Sequence, residues 1–296
     1  VLAGDHVYKM DYRPFIETHR ARRADVTCAV RTVPLEEAHR FGILETDADG
    51  RVTAFVEKPP NPTSNLVSMG VYVFSWPLLR DVLSTDRVDF GRDVLPWMVE
   101  SGRQVLSYEF KGYWQDVGTV ESYWRTNLDL LSDDPGVELN DLGWLIYTRS
   151  EERPPARIGA RARVARSMVS HGCVIDGTVE HSILSPGVRV GADAVVRNSI
   201  VMFDSVVGEG AIVDRAIVDK DCRIGAGAHV GDGDDMRPNR EEPERLYAGI
   251  TLVGKRAVIP PRVRIGRNCR VDPGAGPADF GRRRVVRSGE TVRSAG

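Results

Sequence analysis

Three places in this 296-residue chain put charged side chains where phosphate chemistry would need them. Val1-Leu-Ala-Gly-Asp5 is a short apolar run that delivers a carboxylate to the end of a strand, and in open α/β sheets ligands bind in the crevice outside the strands' carboxyl ends. Tyr113-Trp-Gln-Asp116-Val-Gly118-Thr119 sets a second carboxylate immediately before a helix. Two isolated carboxylates at such corners can converge on a divalent cation; magnesium is held by one or two carboxylates together with substrate phosphates. Glu57-Lys58-Pro59 places an acid beside a base at a strand end, where Lys58 can serve a phosphate and Glu57 a sugar hydroxyl. Each signal is modest alone. Asp5 and Asp116 also suit turn or capping positions, and Glu57-Lys58 suits a solvated hairpin edge.

The elements that must position these groups alternate between strand and helix. Asp11 is placed to cap a helix carrying Tyr12, Phe15, Ile16 and His19 on one face. Val26, Cys28 and Val30 alternate as a strand does. Gly42 to Thr46 and Arg51 to Lys58 flank Asp47-Ala-Asp-Gly50, a four-residue hairpin signal. Ser68 to Phe74 is an apolar run suited to a strand buried on both faces. Helices are expected near 76–83 and 92–101, a strand over Gln104–Phe110, and a helix over Thr119–Leu131. From about 132 to 155, acidic residues and Pro154-Pro155 mark a connector, within which Trp144–Tyr147 can add a strand.

The second half carries a repeat. Val206, Ile212, Val218, Ile224 and Val230 recur every six residues, as do Val190, Val196 and Met202, and again Val253, Ile259, Ile265 and Val271. A period of six fits neither an amphipathic helix nor a half-buried strand; it is the mark of a parallel β-helix whose aliphatics point inward and stack from coil to coil. Asp232 to Ala248 interrupts the period and reads as an inserted loop.

Composition bounds the possibilities. Apolar content of 42% and charged content of 28% are those of a globular protein, long enough here for two cores. A net charge of −2 argues against nucleic-acid or membrane-surface binding by the whole molecule, and the Arg-rich tail (Arg282, Arg283, Arg284, Arg287, Arg293) lacks interleaved aromatics. Four scattered cysteines (Cys28, Cys173, Cys222, Cys269) are expected as buried thiols in a reducing compartment, and no signal peptide or membrane-spanning run is present, which places the chain in the cytoplasm.

Taken in order, Leu2-Ala-Gly-Asp-His-Val-Tyr8, Phe41-Gly-Ile, Phe55-Val-Glu-Lys-Pro59, Ser68-Met-Gly-Val-Tyr72, Asp89-Phe-Gly-Arg-Asp93 and Tyr113-Trp-Gln-Asp-Val-Gly118 closely resemble the bacterial glucose-1-phosphate adenylyltransferase (ADP-glucose pyrophosphorylase) family, over nearly the whole chain. The resemblance implies an α/β fold: a partial Rossmann-like nucleotidyltransferase domain with a mixed sheet over 1–135, a connector over 136–155, and a left-handed parallel β-helix for regulation and oligomerisation over 156–296. It implies that Asp5 and Asp116 are catalytic and hold Mg2+. Gly42, Glu57, Lys58 and Ser68 match positions that bind glucose 1-phosphate, and Asp89, Phe90 and Trp114 match further sugar-site positions. Lys220 matches, loosely, a β-helix cation for anionic effectors. The implied reaction joins ATP and glucose 1-phosphate into ADP-glucose and pyrophosphate for glycogen synthesis, by a homotetramer.

Two departures stand out. Gln115 occupies a place where the family usually carries Arg. The family's glycine-rich nucleotide loop lies upstream of the strand in which Val1 falls, so the chain as written is expected to make little product. Competing readings are a sugar nucleotidyltransferase using another NTP, a non-catalytic scaffold of the same fold, and a hexapeptide acyltransferase. The last needs a histidine base, for which His171, His181 and His229 are candidates, each expected to be an exposed turn residue.

Overall fold

The computed structural model describes residues 1–148 and 152–295, and the chain divides into two compact units, Val1–Gln115 and Asp116–Gly296. The first is built on a five-stranded mixed sheet. Its strands are β2 (Val26–Thr32), β3 (Gly42–Thr46), β4 (Val52–Glu57), β5 (Leu66–Phe74) and β6 (Val105–Glu109), after a short β1 (His6–Tyr8), and the order is β4-β3-β5-β2-β6. Only β2–β6 is parallel; β2–β5, β3–β4 and β3–β5 are antiparallel.

The sheet buries both faces, as its alternation requires. Val26, Cys28 and Val30 of β2 pack with Leu78 and Val82 of the helix Trp76–Leu83 and with Leu95 and Met98 of the last helix in this unit (Leu95–Glu100). On the other face Ala29, Val67, Met69 and Val71 meet Phe15 of α1 (Tyr12–Ala21) and Trp114. The Asp11 carboxylate accepts the Arg13 N–H at 2.9 Å and caps α1, and His19 is buried with Nδ1 2.9 Å from Thr27 Oγ1. The Asp47 turn closes the β3–β4 hairpin, its Oδ1 accepting the N–H groups of Asp49 and Arg51.

The helix expected over 92–101 forms in two parts. Residues Phe90–Val94 make one wide turn, in which the N–H groups of Val94 and Leu95 reach back five residues to the carbonyls of Asp89 and Phe90, and a regular helix then runs Leu95–Glu100. The wide turn inserts one residue relative to α geometry, a feature that often marks functional sites. Trp144–Tyr147 forms no strand and is exposed.

In the second unit, three parallel sheets of short strands wind a solenoid. The inward columns are Ile175, Val190, Val207, Ile224 and Ile259; Val179, Val196, Val213, Val230 and Ile265; and Leu184, Val201, Val218, Val253 and Val271, all buried. Between Val190 and Val230 the period slips twice: Val196 to Val201 and Val213 to Val218 are steps of five, the others six, whereas Val253, Ile259, Ile265 and Val271 keep a strict six. Val206, Ile212 and Met202, expected inside, face outward and are half-buried. Pairs such as Val206-Val207 and Ile212-Val213 carry an aliphatic on both faces, so a strict six fits the wrong phase as well as the right one.

Part of the outward aliphatic surface is covered. Ile200, Ile217 and Ile250 pack against Val120, Tyr123 and Trp124 of a helix over Val120–Asp129, and the Trp124 indole N–H donates to Asn198 O at 2.8 Å. The inserted loop falls between the strands His229–Asp232 and Thr251–Val253. Two buried amides pin it: Asn239 Nδ2 donates to Asn268 O at 3.0 Å, and Asn268 Oδ1 accepts the Gly249 N–H at 2.6 Å.

Candidate active site

Glu57 is the last residue of β4 and lies opposite Gly42, the first of β3. Successive strand residues point to opposite faces. Lys58 breaks that alternation with φ +48°, in the left-handed region that a side chain seldom adopts, while its N–H donates to Phe41 O at 3.0 Å. The two consecutive side chains consequently sit on one side, Lys58 Nζ 3.9 Å from Glu57 Oε1. Glu57 is 22% exposed, and burial pushes its carboxyl above the usual carboxylate range; Lys58 opposes that shift, Asp89 adds to it and Arg92 opposes it.

Ser68 stands on β5, where the pairing with β2 is bulged: Cys28 faces Tyr72 and Val30 faces Ser68, leaving Ala29 opposite Met69, Gly70 and Val71. Gly70 takes φ +66° to make that bulge. The bulge brings Ser68 Oγ within 3.0 Å of the Tyr72 hydroxyl, and Gly70 N–H donates to Ser68 Oγ at 3.2 Å. The Tyr72 ring in turn meets Phe90, 6.1 Å between centroids. Asp89 opens the wide turn, its Oδ1 accepting the N–H groups of Gly91 and Arg92 at 2.8 and 2.9 Å.

At the opening of the chain, Val1–Ala3 lies antiparallel to β5, with Leu2 bridging Val71 and Ala3 N–H donating to Gly70 O. Asp5 follows in a bend between that segment and β1, so it leaves the sheet edge rather than ending a regular strand. Its carboxylate is 65% exposed and lies 3.7 Å from His6 Nε2. The His6 ring is held by Nδ1 at 2.6 Å from Met69 O and by the edge of Trp114, which is buried and also packs on Phe41.

The first unit thus gathers Gly42, Glu57, Lys58 and Asp89 in one cluster, Ser68 and Phe90 in an adjoining one around Tyr72, and Asp5 in a third with His6 and Trp114. Asp116 and Lys220 belong to the second unit. Asp116 Oδ1 accepts the Gly118 N–H at 2.7 Å, ahead of the helix that Thr119 caps. Lys220 is exposed at a solenoid corner, its Nζ 5.6 Å above the Phe203 ring. Gly91, Tyr72 and His6 were not singled out by sequence reasoning, although each lies inside a quoted motif; their roles rest on packing that spacing does not encode.

No group of three or more His, Cys, Asp or Glu able to hold a metal occurs among the described residues. An exposed, hard-oxygen carboxylate such as Asp5 suits the kind of magnesium site in which substrate phosphates complete the shell. All four cysteines are free and buried, and Cys28 is pushed up to about 12 by its burial. Of the three candidate histidines, His171 is an exposed turn residue, whereas His181 sits at a corner but is half-buried, with Nδ1 2.9 Å from Asn198 Oδ1. His229 departs from expectation: it lies on a strand, half-buried, with Nδ1 2.9 Å from Asp232 Oδ1. No helix among the described residues is long and apolar enough to cross a membrane.

Comparison with known proteins agrees with this geometry. Residues 1–133 match the nucleotidyl transferase family model and residues 154–253 the GlmU-like C-terminal hexapeptide model. The chain is 56% identical to a glucose-1-phosphate adenylyltransferase of Thermomicrobium roseum, an alignment covering 99% of this chain and 69% of that protein. It is 47% identical to the enzyme of that name from Thermotoga neapolitana (99% and 70%) and 41% identical to that from Acetivibrio thermocellus (98% and 71%). A mixed-sheet unit bearing the Glu57-Lys58 cluster, a hexapeptide solenoid after it, and identity at this level along both together establish that the chain belongs to the glucose-1-phosphate adenylyltransferase family.

Proposed function

We propose that this protein transfers the adenylyl group of ATP to α-D-glucose 1-phosphate, giving ADP-glucose and pyrophosphate for α-glucan synthesis. A phosphate oxygen of the sugar phosphate attacks the α-phosphorus, the bond from that phosphorus to the bridging oxygen breaks, and pyrophosphate leaves; no covalent enzyme intermediate is required. The observation that carries this reading is the Glu57-Lys58 pair, an acceptor for a sugar hydroxyl beside a cation for the sugar's phosphate, 3.9 Å apart. Ser68, Gly42, Asp89, Phe90 and Trp114 shape the sugar end around it. Positioning of this kind can account for a large part of the barrier reduction in phosphoryl-type transfer. Asp5 in the first unit and Asp116 in the second are each the kind of carboxylate that would hold Mg2+, which when bound neutralises charge on the phosphates.

Further parts of the reading are that Lys220 serves anionic effectors, that the chain works as a homotetramer, and that its buried free thiols suit the cytoplasm. Pyrophosphate release with glucose 1-phosphate and Mg2+ is to be compared for ATP, UTP, GTP and dTTP, in a version carrying a glycine-rich nucleotide loop ahead of Val1. ADP-glucose formation with ATP strongly preferred is expected, and Asp5→Asn should lower turnover on the order of 100- to 1,000-fold without changing the melting temperature. Preference for another nucleotide, or near-normal turnover in Asp5→Asn, would overturn the assignment.

A further inference from the structure

We infer that Gly91 is a positioning residue which, with Gly42, walls a slot for the Glu57 carboxylate and so sets where the sugar end of the substrate is held; the inference deepens the proposed sugar-phosphate reading and rests on it. A Cβ placed on Gly91 would lie 2.5 Å from Glu57 Oε2 and 3.0 Å from its Cδ, and one placed on Gly42 would lie 2.6 Å from the same Oε2. Real Cβ atoms do not approach other atoms that closely. Neither glycine has a positive φ, so the backbone makes no demand for glycine at either place. Space for the carboxylate is what remains. Gly42 also faces the Phe55 ring, whereas the near neighbours of Gly91 are Glu57 and, at 3.5 Å, Asp89 Oδ1.

The wall on the Gly91 side is fixed. Asp89 Oδ1 holds the Gly91 and Arg92 N–H groups, and Asp93 Oδ2 holds those of Val88 and Asp89. Phe90 is anchored against Tyr72 and Phe74. A methyl group at 91 must therefore displace the carboxylate rather than the turn. With Oε2 enclosed between two glycines, Oε1 is the oxygen on the Lys58 side and the one placed to accept a substrate hydroxyl. Misplacing a positioning group by about 1 Å can cost on the order of 100-fold.

The test is a double-mutant cycle with Gly91→Ala and Glu57→Ala, read in steady-state kinetics and in thermal melts. In the wild-type background Gly91→Ala is expected to raise KM for glucose 1-phosphate about 10- to 100-fold, leave KM for ATP unchanged, and lower Tm only slightly, because the atom it displaces is the far end of a flexible side chain. In the Glu57→Ala background the same substitution should change neither KM nor Tm, because the side chain it collides with is gone. Equal effects in both backgrounds, or an unchanged sugar-phosphate KM in Gly91→Ala, would overturn the inference. If Gly91→Ala alone fails to fold, recovery of the fold in the double variant supports the slot, and failure of both overturns it. The melting arm needs no turnover, so it decides the role of Gly91 even where the proposed reaction fails its own test.

Discussion

At Glu57 the carboxylate sits in a partly water-excluded slot, and the folded chain binds its proton more readily than an exposed carboxylate would. A folded-state pKa above the unfolded value of about 4.3 means that the stability linked to this group is complete below that pH and is lost as pH rises through the folded value. At neutral pH the ionised group therefore weighs against folding, and its function must justify its presence. Glu57→Gln, nearly isosteric and neutral throughout, is expected to raise Tm at neutral pH, with the advantage shrinking to nothing below about pH 4.3. Melts of both proteins across that range measure it; a gain independent of pH would show that burial of the charge is not its source. The adjacency of Glu57 and Lys58 was legible in the sequence, because neighbours at a strand end need no fold to be neighbours. The left-handed turn at Lys58 that puts both on one side was not legible, since lysine carries no propensity for it.

At the scale of elements, patterns that depend on local chemistry translated directly: the Asp11 cap, the Asp47 hairpin, and the helix beginning after Thr119. What failed depended on neighbours. The wide turn at Phe90–Val94 is stabilised by Phe90 packing on β5, and the solenoid's phase is decided by which member of an aliphatic pair meets the next coil. That phase has a measurable consequence. Val213 is fully buried and stacks between Val196 and Val230, while Ile212 is half-buried on the outer face. Val213→Ala removes inward methyls and leaves a cavity, and should cost about 2–3 kcal/mol. Ile212→Ala, though it deletes the larger side chain, should cost under about 1 kcal/mol because water can fill the outer surface. Urea unfolding of the two variants gives the comparison, and an equal or reversed cost would place the inward column one residue earlier.

For the whole molecule, two kinds of core divide the chain. The first unit closes a twisted mixed sheet between helices, so its contacts are long-range and cooperative; the second adds coil to coil, with each inward aliphatic supported by its counterparts above and below. Cores of such different construction have no reason to lose stability at the same temperature. Calorimetry should resolve two transitions rather than one two-state event. The sugar-site candidates Gly42, Glu57, Lys58, Ser68, Asp89, Phe90 and Trp114 all lie in the first unit. Glucose 1-phosphate at about 100 times its Kd should then stabilise that unit by about 2.7 kcal/mol and move its transition upward. The solenoid transition should stay in place, and Glu57→Ala should abolish the ligand-induced shift without moving the solenoid transition. A single transition raised as a whole by the ligand would mean that the two units unfold as one, and a shift confined to the solenoid would remove the sugar site from the sheet.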